Sequence, residues 1–360
     1  FIMKKKILAA IAAGLIALGS FNVSNAASRE EVAAIHVEKA SDFQFWNENS
    51  TTKQKIIEFV EDVTDPNSPN YIPPEDRIAT FDMDGTFYCE TAPIYFQEAM
   101  FLHRVLEDKN YTAPKKYVDL AKKIKPKYYN KEKLTPAEDK LHLEALTAVY
   151  AGMTDEEYRA YVRDFMQDNE YGLTNLKRGE AFYLPMVEII SYLTNNGFNV
   201  YIDSACGVST TRELVKDIIP VRFDRILGTD FNYTSTNMGK DAPDHHFFDR
   251  FKEKIVISGN HMIENGKTRK IFSILNQIGK KPVLAFGNSS GDSGMLEYTL
   301  QNNKYRSMSF FVICDDTERE LGNPNRAKSD TALALKRGWN PISMRDEFKT
   351  IYGDNVRRES

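Results

Sequence analysis

Cysteine is scarce in this chain of 360 residues, which has only Cys89, Cys206 and Cys314. An odd count forbids complete internal pairing. The plain reading of all three is a small buried apolar side chain. Long apolar runs are missing as well. The longest, Ile7 to Leu18, falls short of the roughly 20 residues that a bilayer-spanning helix needs. No cysteine follows it to carry a lipid. Low-complexity tracts and repeats of fixed period are absent, which removes solenoids and arrays. An excess of positive charge is lacking too, with 47 Lys and Arg against 51 Asp and Glu.

What the N-terminus does have is the pattern of an export signal. Phe1 and Ile2 precede Met3, three lysines (Lys4, Lys5, Lys6) follow, then the apolar run, and Ser24-Asn25-Ala26 fits a small-x-small cleavage rule. Residues 1–26 are therefore expected to be a signal peptide cut after Ala26, with the mature chain periplasmic or secreted. Cleavage removes three lysines and no acids, moving the net charge from −4 to −7. That mild acidity gives no electrostatic reason to expect nucleic acid, or a membrane after cleavage, as partner. With 42% hydrophobic and 27% charged residues, the remainder has the composition of a soluble globular protein.

Short apolar strands alternate with amphipathic helices along most of the chain. Arg77 to Phe81 reads as a buried strand. Ile56, Ile57, Phe59, Val60 and Val63 lie at helical spacing behind Thr51 or Thr52 as cap. A helix at about 184–195 leads through Asn195-Asn196-Gly197 to a strand from Phe198 to Ile202. A helix follows at about 209–217, another from Lys267 to Gln277, and then strands Pro282–Phe286 and Phe310–Ile313. This alternation predicts an α/β fold with a doubly wound parallel sheet of Rossmann-like type. Residues 93–180 read almost entirely as helix and interrupt it. They are expected to form a cap on a core made of 27–92 and 181–360.

The polar residues cluster where these strands end. Asp82 and Asp84 stand two apart in Phe81-Asp82-Met83-Asp84-Gly85-Thr86, on a chain leaving a strand. One carboxylate can attack phosphorus while the other hands a proton to the leaving oxygen. Ser204 follows the second strand, and Ala205-Cys206-Gly207 opens a helix, so a hydroxyl and N–H groups can cradle phosphate. Lys267 heads a helix in which Ile271, Ile274 and Leu275 are expected to face inward, with Arg269 and Lys270 as rival cations. After the strand ending at Phe286 comes Gly287-Asn288-Ser289-Ser290-Gly291-Asp292.

In this order and on these elements, the four segments resemble the motifs of the haloacid dehalogenase superfamily. The resemblance covers about 75–315, and the helical insert lies between the first and second motifs. It departs at Asn288, where the family pattern Gly-Asp-x-x-x-Asp has its first acid, while Asp292 matches the second. The resemblance implies a Mg²⁺-dependent phosphatase that hydrolyses a small phosphomonoester through an aspartyl-phosphate. Asp82 would be nucleophile, Asp84 general acid and base, and Lys267 the charge-stabilising cation. Asp82, Asp84, Asn288 and Asp292 would hold the metal. Thr86, Ser204 and Gly207 would serve the phosphate. A phosphotransferase or pyrophosphatase using the same residues stays open, as does a secreted binding protein weakened in catalysis at Asn288.

The cap resembles those of phosphoserine and phosphorylcholine phosphatases. Glu90 among Phe87, Tyr88, Tyr95 and Phe96 suits a cationic substrate group, although these rings equally suit packing at the cap hinge. His245 and His246 lack a third ligand at a recognisable spacing, so a solvated loop is the better reading. Cys89 and Cys206 both follow strand ends on one edge of the sheet and are expected to lie close enough to bridge.

Overall fold

The computed structural model describes residues 25–89, 94–130, 132–239 and 243–359. The chain begins with a short helix, α1 (Arg29–Ala33), closed by a Ser28/Glu31 capping box. α2 (Thr51–Thr64) is capped by Ser50, whose hydroxyl accepts from Lys53 N. Thr51 and Thr52 were expected in that role, but both lie inside the first turn. β1 (Ile78–Phe81) is buried on both faces, as a central parallel strand with helices above and below must be.

Among the described residues, five α-helices lie between β1 and the next strand, the first four being α3 (Phe96–Leu106), α4 (Lys115–Tyr129), α5 (Pro136–Ala148) and α6 (Asp155–Phe165). Thr135 and Thr154 start α5 and α6 with capping boxes, each threonine satisfying the N–H three residues on while a glutamate reaches back.

The alternation then runs as α7 (Leu184–Asn195), β2 (Asn199–Gly207), α8 (Val208–Val215) and β3 (Ile226–Thr229). A small antiparallel pair, β4 (Tyr233–Ser235) and β5 (Ile255–Ile257), follows. The chain closes with α9 (Arg269–Ser273), β6 (Leu284–Gly287), α10 (Ser293–Leu300), β7 (Met308–Ile313), α11 (Pro324–Arg337), β8 (Asn340–Ser343) and α12 (Met344–Glu347). The main sheet has the order β3-β2-β1-β6-β7-β8, and every pair in it is parallel. It is the mixed α/β, Rossmann-like sheet that the sequence predicts.

Register is set by an aromatic ladder. Phe81, Phe286 and Phe310 are level on β1, β6 and β7, with ring centroids 4.2 and 4.8 Å apart and nearly parallel planes. A slip of one residue would turn these rings to the opposite face. The ladder therefore fixes where β1 and β6 end, and with them Asp82 and Asn288. Strand order reverses at β1, since the chain passes to β2 on one side and β6 lies on the other. The crevice outside the carboxyl ends of β2, β1 and β6 is where ligands bind such sheets.

Candidate active site

Asp82 is the first residue past β1, and its N–H donates to Phe286 O at 2.9 Å, so the nucleophile candidate is fixed to β6. The loop then folds back on itself. Thr86, Phe87 and Tyr88 N–H groups all donate to Met83 O, and Gly85 N donates to Tyr88 O. Gly85 has φ +80°, and a Cβ there would lie 1.9 Å from Asn288 Nδ2. Glycine thus serves twice, once for the left-handed backbone and once to let the Asn288 amide lie against the loop.

The cation at the carboxylates is Lys270, not Lys267. Lys270 Nζ donates to Asp82 Oδ1 at 2.7 Å, to Asp292 Oδ1 at 2.7 Å and to Asp203 O at 2.6 Å. All three ammonium hydrogens are thereby used. Lys267 sits before the helix with φ +55°. Its N–H is spent on Gly291 O, and its side chain is exposed at the cavity rim. Because α9 starts only at Arg269, Lys270 and Ser273 turn inward beside Ile274, which was expected there. Leu275 is 51% exposed rather than inward, since the helix widens to a π-turn over Ile274–Ile278.

Asp292 holds the loop after β6 together. Its Oδ2 accepts from the N–H groups of Asn288 (3.0 Å) and Ser289 (2.9 Å) and from the Ser289 hydroxyl, while Oδ1 faces Lys270. On the β2 side, Ser204 Oγ accepts from Cys206 N at 3.0 Å. Asp203, buried beneath it, accepts from Asn265 Nδ2 (2.7 Å) and the Ser273 hydroxyl (3.1 Å).

Burial, and next Asp292, push the Asp82 carboxyl up to about 7 against the pull of Lys270. Burial likewise raises Asp203 to about 6. Burial works against the charge on Lys270, yet Asp292, Asp82 and Asp203 together hold its pKa above the ordinary lysine value.

These groups open on a cavity of about 350 Å³. Asp82, Asp84, Ser204, Lys267, Lys270, Asn288 and Asp292 all line it. Thr86 does not: it is fully buried behind the loop, with no hydrogen-bond partner for its hydroxyl. Gly207 also falls outside the lining, because its N–H is taken by Gln97 Oε1 at 3.1 Å. Glu90 lies outside the described residues. Phe87, Tyr88 and Phe96 are wholly buried, and of these four rings only Tyr95 faces the cavity.

Sequence reasoning missed Gln97 and Glu98, which line the cavity from the first turn of α3. Glu98 Oε2 is buried without a partner, and burial raises its carboxyl to about 7. Glu98 falls in the stretch 93–180 that the sequence reads only as helix, so nothing local marked it as part of a site.

No disulfide joins the cysteines. The structure holds Cys89, Cys206 and Cys314 as thiols, and the expected bridge is not made. Cys89 lies against Tyr352 near the C-terminus, whereas Cys206 lies against Thr211 of α8. The chain after Tyr88 runs along Ala181, to which Cys89 N donates at 2.8 Å, and not along the phosphate side of β2. His246 pairs with Glu253 at 2.6 Å. Among the described residues no three His, Cys, Asp or Glu side chains are arranged to hold a metal.

A solved structure of a functionally unknown protein from Anaerococcus prevotii DSM 20548 is similar over 83% of this chain and 92% of its own, at 13% identity and a TM-score of 0.50. Taken with the sheet order and the residues at the ends of β1, β2 and β6, the likeness settles the fold. The chain has a mixed α/β, Rossmann-like fold that this structure shares. A protein of unknown function from Bordetella pertussis Tohama I aligns at 17% identity over 74% of this chain and 97% of its own, with a TM-score of 0.45. Cytosolic 5'-nucleotidase IIIB bound to cytidine aligns at 11% over 83% and 86%, with a TM-score of 0.46. No family model matches the sequence, and no curated protein matches it significantly.

Proposed function

We propose that this chain is a Mg²⁺-dependent phosphatase that hydrolyses a small phosphomonoester through an aspartyl-phosphate on Asp82. One observation carries the reading: Asp82, Asp84, Ser204, Lys270, Asn288 and Asp292 converge on one cavity, with the Asp82 carboxylate clamped by Lys270.

Asp82 attacks the phosphoryl group in line and expels the alcohol, to which Asp84 delivers a proton. Asp84 then takes a proton from the water that hydrolyses the acyl phosphate. Ser204 holds a phosphate oxygen, and Lys270 balances charge on the nucleophile throughout.

An all-oxygen donor set fits Mg²⁺. Asp292 has both oxygens committed to Lys270 and the loop, which leaves the Asp82 carboxylate, the Asp84 carbonyl and the Asn288 side chain to hold the ion beside Gly85. When bound, the metal supplies neutralisation of phosphate charge. Export, with cleavage after Ala26, belongs to the same proposal and rests on Lys4 to Ala26 of the sequence.

A panel of phosphate esters, with and without Mg²⁺, tests the activity, and trapping with a metal fluoride tests the intermediate. Phosphate release that requires Mg²⁺ and stops on trapping is the expected result. Absence of turnover with retained ligand binding would instead favour a binding protein. N-terminal sequencing of the exported chain tests the cleavage.

A further inference from the structure

The loop between β4 and β5 carries three phenylalanines in five residues, and they are turned outward. Phe247 is 95% exposed, Phe248 51% and Phe251 81%. This display is held in place by Glu253, which is buried beneath the loop. Glu253 Oε1 accepts from Asp249 N at 2.6 Å, and its Oε2 takes the Ser235 hydroxyl and His246 Nε2. The loop's two ends are tied as well, through Thr236 N to Lys254 O and Lys254 N to the Thr236 hydroxyl. The backbone is thus satisfied internally while the rings are not, the reverse of what burial of apolar surface would favour.

The charges around the rings are mostly positive. Arg250, Lys252 and Lys254 are exposed, with the Arg250 guanidinium 4.5 Å from the centre of the Phe251 ring. Of the acids, Glu253 is buried and Asp249 is half-buried, taking Phe251 N–H and Lys252. Asp244 and His245 stand exposed at the loop's start.

We propose that this loop is a docking wedge for an anionic lipid bilayer. The phenylalanine rings enter the acyl boundary, and Arg250, Lys252 and Lys254 stay at the headgroups, the division of labour that interfacial anchors use. A protein partner suits the patch less. Three rings at these exposures offer roughly 450 Å² of apolar surface, well under the roughly 800 Å² per side of a stable interface. The mature chain's net negative charge argued against a membrane, but net charge is a property of the whole surface and this cationic rim is local. β5, which follows the loop, is tied to the segment between α5 and α6, where Gly152 N donates to Ile257 O and Ile257 N to Met153 O. None of the loop's described residues lines the cavity that holds Asp82, Asp84 and Lys270.

Co-sedimentation of the full chain with vesicles of phosphatidylglycerol and phosphatidylcholine tests the wedge. The chain is expected to bind and to release as salt rises. Phe247→Ser with Phe251→Ser should weaken partitioning by at least about tenfold, and Arg250→Glu with Lys252→Glu by a similar factor, each with unchanged melting temperature. Phe247→Trp should shift its emission to the blue on vesicles, while Trp46 and Trp339, both 3% exposed, give a constant background. Failure of the wild-type chain to bind would overturn the proposal, as would equal binding by the serine variant. So would a dimer lost on Phe→Ser with no vesicle binding, which would make the patch a contact between copies.

Discussion

Lys270 Nζ lies 2.7 Å from Asp82 Oδ1 and an equal 2.7 Å from Asp292 Oδ1, so one buried ammonium joins the end of β1 to the loop after β6. Removing it would leave two buried carboxylates without compensation. Lys270→Met is expected to cost about 3–5 kcal/mol in stability and to abolish turnover. Lys267→Met, on an exposed side chain, should stay within about 0.5 kcal/mol. Urea unfolding of both variants checks this, and the opposite ranking would return the role to Lys267.

Asp82→Asn keeps the volume of the nucleophile and removes its reactivity. Turnover should fall by about 10⁴-fold or more, with stability changed by no more than about 1 kcal/mol. More than a trace of phosphate release by the purified variant would sink the assigned mechanism.

Gly85→Ala meets two obstacles at once, the left-handed φ of +80° and the Asn288 amide 1.9 Å from the new Cβ. Together they should cost about 2–5 kcal/mol. Thermal melting reads the loss, and a variant as stable as the parent would mean that the loop rearranges freely.

The strands before Asp82 and Asn288 were legible as short apolar runs closed by polar residues, and so was the start of β2, although that strand runs on past Ser204 to Gly207 rather than stopping at Ile202. Lys270 was not singled out, since Gly266-Lys267 looks like a helix start. The left-handed turn at Lys267 delays α9 by two residues, and no local pattern announces that. Asp203 and Asn265 were overlooked for a different reason: their roles come from pairing with each other across 62 positions. β8 escaped notice because Asn340-Pro341-Ile342-Ser343 has only one strong β-former, and its strand state follows from pairing with β7.

Glu188 predicts a pH dependence. Its carboxylate takes Gln44 N at 2.6 Å and Phe45 N at 3.1 Å, yet burial raises its pKa to about 8. Between the ordinary 4.5 and about 8, the folded chain keeps a proton that the unfolded chain has lost. Stability from this group is therefore greatest at low pH and declines as pH rises through that window. Glu188→Gln should flatten the decline in melting temperature across it. An unchanged slope would show that Glu188 is ionised in the folded chain.

Asn288→Asp tests the least conventional position of the site. The substitution is nearly isosteric and leaves the backbone bond from residue 288 to Asp292 Oδ2 in place. It places a further negative oxygen beside Asp82, near Gly85. Without metal, that carboxylate adds repulsion to a cavity already holding Asp82, Asp84 and Asp292, so the metal-free melting temperature should fall. With Mg²⁺, added ligand charge should tighten binding by roughly tenfold, and the melting temperature should rise further on metal addition than in the parent. Calorimetric titration with Mg²⁺ alone measures the affinity without reference to turnover. Equal or weaker affinity in the variant would place the ion away from residue 288 and leave it to Asp82 and the Asp84 carbonyl.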